Sequence, residues 1–235
     1  MKNSRLWLIP LCFFILCCGL NLTGCFISPV LKATVKPGIL TLLCVTTLAW
    51  LMPRLDFSKK QPGVALLITA QLMGCVGDTL LIGDGFLFFA SGIGAFLIGH
   101  IFYILLFGGW SFKGLKPWQW IAGIACGIAV TCVMVICVGV NGAMLVPMGV
   151  YAMALAMLIF STLAGALRFG GCTWWILVCG AVLFTFSDLL IAINTFIGVS
   201  DFVKGFGVMS TYMLAQGLLA IGACRLLASQ SPRQE

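Results

Sequence analysis

Eight apolar runs follow one another along the chain, at about 7–27, 34–53, 62–83, 86–109, 118–139, 142–166, 172–197 and 205–227. Each is about 20 residues or longer, enough to cross the roughly 30 Å hydrocarbon core as a helix rising about 1.5 Å per residue. Lipid offers backbone N–H and C=O groups no partner, so such runs must close their hydrogen bonds internally as helices. The breaks fall at "SPVLK", "RLDFSKKQP", "IGDG", "SFKGLKP", "GVNG", "RFGG" and "GVSDFVKG", the glycine, proline, asparagine and charged punctuation of turns. They leave no room for a soluble domain. Composition agrees: 62% of the 235 residues are hydrophobic and 8% charged, against roughly 25% charged in a soluble domain. The expected fold is all-α, a polytopic integral membrane bundle of eight transmembrane helices forming a single domain over 1–235.

The net charge of +7 reads as a topology signal. With eight spans, one face receives Lys2, Arg5, Arg54, Lys59, Lys60, Lys113, Lys116, Arg168, Arg225 and Arg233, and the other only Lys32, Lys36 and Lys204. Ten against three puts both termini in the cytoplasm by the positive-inside rule. The partners so implied are anionic lipid head groups rather than nucleic acid.

Twelve cysteines lie almost all inside apolar runs, with no pair of CxxC units and a single histidine. Small packing residues are the simplest account, and neither a disulfide framework nor a metal site is expected. The stretch "LTGC" at 22–25, after a basic start and an apolar run, also has the form of a lipoprotein signal with Cys25 as the modified residue. An ordinary first helix ending in small residues is favoured, because the chain re-enters the membrane within ten residues.

Two carboxylates stand out in "QLMGCVGDTLLIG" and "GAVLFTFSDLLIAINTF". A carboxylate in hydrocarbon is expensive, which makes Asp78 and Asp188 functional candidates. Asp78 lies 16 residues after Pro62, and Asp188 lies 16 after Cys172. Both would therefore sit roughly 24 Å from the cytoplasmic face. Equal depth permits the two to pair. Two acids, one protonated and one ionised, are the minimum for general acid–base hydrolysis. The structural alternative is that each caps a helix or pairs with a buried cation such as Lys36. Asp84 and Asp201, beside glycine or serine in outer loops, read as turn or cap residues.

Lys36 precedes Pro37, whose expected place is the first turn of the second helix. The lysine can snorkel to the interface, meet a lipid phosphate or tune a carboxylate. Tyr212 and Lys36 fall near the level of the aspartates, Tyr151 somewhat deeper and His100 deeper still. His100 and Tyr103, three apart, share one helical face; the imidazole can act in acid–base chemistry, bind phosphate, or simply be hydrogen-bonded within the bundle. "GIACG" at 123–127 has the spacing that lets helices approach closely, for packing or dimerisation.

Taken in order, "KP" at 36–37, "GD" with "LL" at 77–81, "FLIGHIFY" at 96–103, "GAVLFTFSDLL" at 180–190 and "YMLAQ" at 212–216 resemble the YhhN-type lysoplasmalogenases. The resemblance spans the second to the eighth helix. It implies a membrane hydrolase that cleaves the vinyl-ether bond of a lysophospholipid, the lysoplasmalogen, giving a fatty aldehyde and a glycerophosphoethanolamine or glycerophosphocholine. It also implies that Asp78 and Asp188 are the paired catalytic aspartates. Lys36, His100, Tyr103, Ser187 and Tyr212 match motif positions as site lining, and Tyr151 is added from its depth. The expected location is a bacterial inner (cytoplasmic) membrane.

The chemistry fits the residues. A vinyl ether hydrolyses through protonation at the β-carbon, capture of the oxocarbenium ion by water, and collapse of the hemiacetal. One neutral aspartic acid can deliver the proton, and an ionised one can deprotonate the water; no cofactor or metal is required. The main rival is a proton-coupled small-molecule or lipid transporter using the same acids as relays, although no clear inverted repeat supports it. An aspartyl intramembrane protease shares the acid pair but carries "YD" and "GxGD" motifs, of which "CVGD" at 75–78 is a partial echo.

Overall fold

The computed structural model describes residues 5–140, 142–198, 200 and 202–229. Lys2, Asp201 and Arg233, and the side chain of Lys204, lie outside that description. Among the described residues the only regular elements are helices: α1 (Leu8–Ile27), α2 (Pro29–Leu51), α3 (Pro62–Leu80), α4 (Phe86–Ser111), α5 (Pro117–Val138), α6 (Leu145–Phe169), α7 (Gly171–Phe196) and α8 (Val208–Ser229). A short 3₁₀ turn, Gly142–Met144, leads into α6, and a π-helical turn, Val203–Gly207, leads into α8. Among the described residues eight helices are long and apolar enough to span a membrane, and the protein is a multi-pass integral membrane protein.

The chain forms two compact units. The first comprises residues up to Tyr103 together with those from Gly217 onward, and the second runs from Ile104 to Gln216.

In the first unit α1 packs along α2 and α2 along α3. The expected loop "SPVLK" is not a loop. Ser28 alone separates α1 from α2, its Oγ accepting from the Leu31 N–H at 3.2 Å, with Pro29 in the first turn. A side-chain oxygen on an orphan N–H followed by proline is the combination that starts a helix. Pro37, expected in the first turn, consequently lies inside α2, and Lys36 sits about two turns from the helix start. The hairpin is tight: a Cβ built at Gly24 would stand 2.7 Å from the Lys32 backbone nitrogen, and Asn21 Nδ2 donates to the Lys32 carbonyl at 2.9 Å. Leu22–Cys25 are thus the last turns of a continuous helix packed on its successor.

α4 runs antiparallel to α3. Gly77 faces the Phe96 ring, and Gly99 faces the Ala70 carbonyl and Met73. These contacts fix the register between the two helices.

In the second unit α5 packs on α6, α6 on α7, and α5 also meets α7. Phe112, Trp120 and Phe160 form an aromatic cluster with centroids 4.7 to 5.9 Å apart, tying the start of α5 to α6. The turn from α6 to α7 is made by Gly170 and Gly171, at φ 64° and 82°, backbone that side-chain-bearing residues rarely adopt. The eleven cysteines whose side chains are described are free thiols.

Candidate active-site residues

Asp78 lies near the end of α3, sixteen residues on from Pro62. Asp188 lies seventeen on from Gly171, the first residue of α7. Each follows a long apolar stretch, and each is buried, with 2% and 5% of its surface exposed. In both cases the helix carries a carboxylate into a region where only polar partners within the protein can replace water.

In the first unit the Lys36 ammonium lies 3.4 Å from Asp78 Oδ1, with the lysine side chain 12% exposed. Of the three readings open to Lys36, the structure shows the one in which it meets a carboxylate. The ion pair is one rung of a polar seam between α2 and α3. One turn before Asp78, Cys75 Sγ donates to the Pro37 carbonyl at 3.2 Å and lies 3.3 Å from Thr41 Oγ1. Further along, Gln71 Nε2 donates to Thr47 Oγ1 at 3.2 Å. The three rungs, at residues 71, 75 and 78, are spaced by four and three, so one face of α3 carries them all. Proline inside a helix lacks the N–H for the bond one turn back and clashes with that carbonyl. Lys36 and the Pro37 carbonyl both meet that face.

Cys75, Gln71, Thr41 and Thr47 were not singled out from the sequence. Their signal was available, since Gln71 and Thr47 are polar residues inside spans and need a partner there.

His100 and Tyr103 are both buried on α4, each 1% exposed. The register set by Gly77 and Gly99 places His100 beside the level of Ala70–Gly74. That is one to two helical turns, roughly 8–10 Å, below Asp78.

In the second unit the Tyr151 hydroxyl donates to Asp188 Oδ2 at 2.6 Å. At 2.6 Å this bond is at the short end of the O–H···O range. Tyr151, expected as substrate lining, therefore orients the carboxylate of α7. The neighbouring Ser187 donates to the Val208 carbonyl at 3.1 Å, which ties α7 to the first residue of α8 just after the π-helical turn. Tyr212, one turn further on, packs edge-on against Phe184, with centroids 5.4 Å apart and planes at 83°. Tyr151, Ser187, Asp188 and Tyr212 thus belong to one neighbourhood.

A small cavity of about 20 Å³ touches Tyr151 and Asp188 and is otherwise lined by apolar side chains, among them Val138, Met148, Leu155 and Ala192. A volume of that size holds about one water molecule. Among the described residues no group of three or more His, Cys, Asp and Glu side chains is arranged to hold a metal ion.

Known proteins resemble the chain over most of its length. The profile of the YhhN family matches residues 31–223. A mouse protein named lysoplasmalogenase TMEM86B is 30% identical over 231 residues, covering 94% of this chain and 88% of its own. The human lysoplasmalogenase TMEM86A is 29% identical over 174 residues, covering 72% and 69%. The human lysoplasmalogenase TMEM86B is 30% identical over 187 residues, covering 79% and 73%. No solved structure matches.

Proposed function

The chain belongs to the YhhN family, and on that premise we propose that it is a membrane-embedded hydrolase that cleaves the vinyl-ether bond of lysoplasmalogens. The observation that carries this reading is the likeness, over 94% of the chain, to a relative named for that activity. The buried carboxylates supply the chemistry it needs.

Asp188 is assigned the proton-transfer role. As the neutral acid it delivers its proton to the β-carbon of the vinyl ether, and the electron pair of the double bond forms the new C–H bond. The cation left behind is an oxocarbenium ion. Asp188, now ionised, takes a proton from the attacking water, whose oxygen bonds to the cationic carbon. The hemiacetal then collapses to aldehyde and glycerophospho-alcohol, and the acid is restored. Tyr151 holds the carboxylate, and the adjoining cavity has room for the water. Asp78, ion-paired with Lys36, is assigned the charged role. His100, Tyr103, Ser187 and Tyr212 are assigned to shaping and lining.

The location we propose is the bacterial cytoplasmic membrane, with both termini on the cytoplasmic side. The distribution of lysine and arginine supports that orientation.

The test is aldehyde release from lysoplasmalogen by the purified full chain, beside Asp78→Asn and Asp188→Asn. Release by the wild type and its loss in both variants is expected. In D₂O the aldehyde carries one deuterium on the carbon next to the carbonyl. Aldehyde without that deuterium would exclude β-carbon protonation. Proton-dependent flux with no product would move the assignment to a transporter.

A further inference from the structure

The second unit has a large groove whose lining does not include Asp188. It lies between α5 and α6 and has a volume of about 560 Å³, within the range of roughly 300–1,000 Å³ typical of ligand pockets. Its wall on α5 runs from Trp118 to Val130, twelve residues or roughly 18 Å. Small side chains such as Ala122, Gly127 and Ala156 keep it open, and nearly all of the lining is apolar. α5 leaves most of its surface uncovered, only 6% of its spanning window being buried.

One end of the groove differs. Arg168, in the last turn of α6, lines it together with Gln119. Lys113 and Lys116 are exposed in the turn between α4 and α5 at the same end. Gly114, at φ 78°, leaves its backbone open beneath the Arg168 guanidinium, where a Cβ would stand 3.4 Å from a guanidinium nitrogen. No carboxylate occurs anywhere between residues 85 and 187. The ion pairs of the described residues, Lys36–Asp78 and Lys59–Asp56, involve none of these three cations. The groove is therefore an apolar trough with uncompensated positive charge at one end, the inverse of an anionic amphiphile.

We propose that the α5–α6 groove binds a phospholipid with a net negative head group, its phosphate at Arg168 and Lys116 and one acyl chain along Ala122, Gly127 and Ala156. Basic pockets between spanning helices are the usual recognition element for such head groups. The occupant is distinct from the substrate reacting at Asp188. Tyr151, which holds that aspartate, lies seventeen residues before Arg168 on the same helix, roughly 25 Å away along its axis.

The experiment is native mass spectrometry of the full chain in detergent with phosphatidylglycerol or phosphatidylcholine of identical chains added. One retained phosphatidylglycerol per chain is expected, with weak retention of phosphatidylcholine. Arg168→Gln and Lys116→Gln each weaken retention about fivefold, the effect of one cation near an anionic surface. Cys126→Trp, at an exposed lining position, abolishes it by filling the trough while leaving the charges in place. Equal retention of the two lipids, or full retention in Cys126→Trp, would overturn the proposal. So would a dimer that Cys126→Trp dissociates while no lipid is carried, since the groove would then seat a second copy of the chain.

Discussion

Lys36 and Asp78 lie 3.4 Å apart in a setting where water reaches little of either side chain. Removing one member of such a pair leaves an uncompensated charge, whereas removing both does not. Lys36→Met is therefore expected to lower stability by about 3 kcal/mol, read as a fall in the thermal midpoint in detergent. The double variant Lys36→Met/Asp78→Asn should recover most of that loss. Turnover separates structure from chemistry: the stable double variant remains inactive if the Asp78 carboxylate takes part in the reaction, and regains activity if the pair only holds α2 to α3. Asp56, in the loop between α2 and α3, is a different kind of carboxylate. It is held below the ordinary range chiefly by the Ser58 hydroxyl, then by the Ser58 N–H, with a smaller contribution from Lys59. A lowered folded-state value means the stabilisation is present above the ordinary carboxylate range and is lost as pH falls through the lowered one. The Ser58 amide's protection, its exchange rate compared with the intrinsic rate at each pH, should hold through mild acid and fall only in strong acid, and in Asp56→Asn it should no longer vary with pH in this way.

Pro37 shows what an element can conceal from its sequence. "KP" reads as a helix start, but "SP" eight residues earlier is the start the chain uses, because Ser28 also supplies the capping oxygen. The second proline is left inside α2, where it supplies no N–H for the bond one turn back. Replacing it tests whether that missing bond aims Lys36. Pro37→Ala is expected to raise the thermal midpoint or leave it unchanged, since an internal bond is regained, while turnover falls severalfold as Lys36 rotates away from Asp78. A variant that is more stable and equally active would show the missing bond to be incidental. The aspartates themselves were legible for a simple reason: a charge inside an apolar run is visible without any knowledge of packing. Their partners were legible only as candidates. That Lys36 meets Asp78, and Tyr151 meets Asp188, depends on the register between helices. Register is set by close contacts such as Gly77 on Phe96 in the first unit and Gly165 beneath the Trp174 ring in the second, and no periodicity along one helix encodes them. The seam at Cys75 and Gln71 was missed for the same reason.

At the scale of the molecule, the number of spans follows from hydrocarbon thickness, and among the described residues eight long apolar helices are found where eight apolar runs stand. Orientation rests on a separate force, the retention of lysine and arginine on the side from which the chain is inserted. Arg54, Lys59, Lys60, Lys113, Lys116 and Arg168 occupy alternate connections, those after α2, at the α4–α5 turn and at the end of α6. The remaining connections hold far fewer cations, so the bias is periodic along the chain and does not depend on one terminus. A reporter that fluoresces only in the cytoplasm should therefore light up when fused after Ser229 or inserted at Ser58. A reporter active only outside should respond when inserted at Asp84. Neutralising Lys59 and Lys60 together should leave this pattern intact, because eight of the ten cations on that face remain against Lys32, Lys36 and Lys204. A signal at Asp84 from the cytoplasmic reporter would invert the topology. It would place both aspartates nearer the cytoplasmic surface, since each lies towards the far end of a helix that starts at a cation-rich connection.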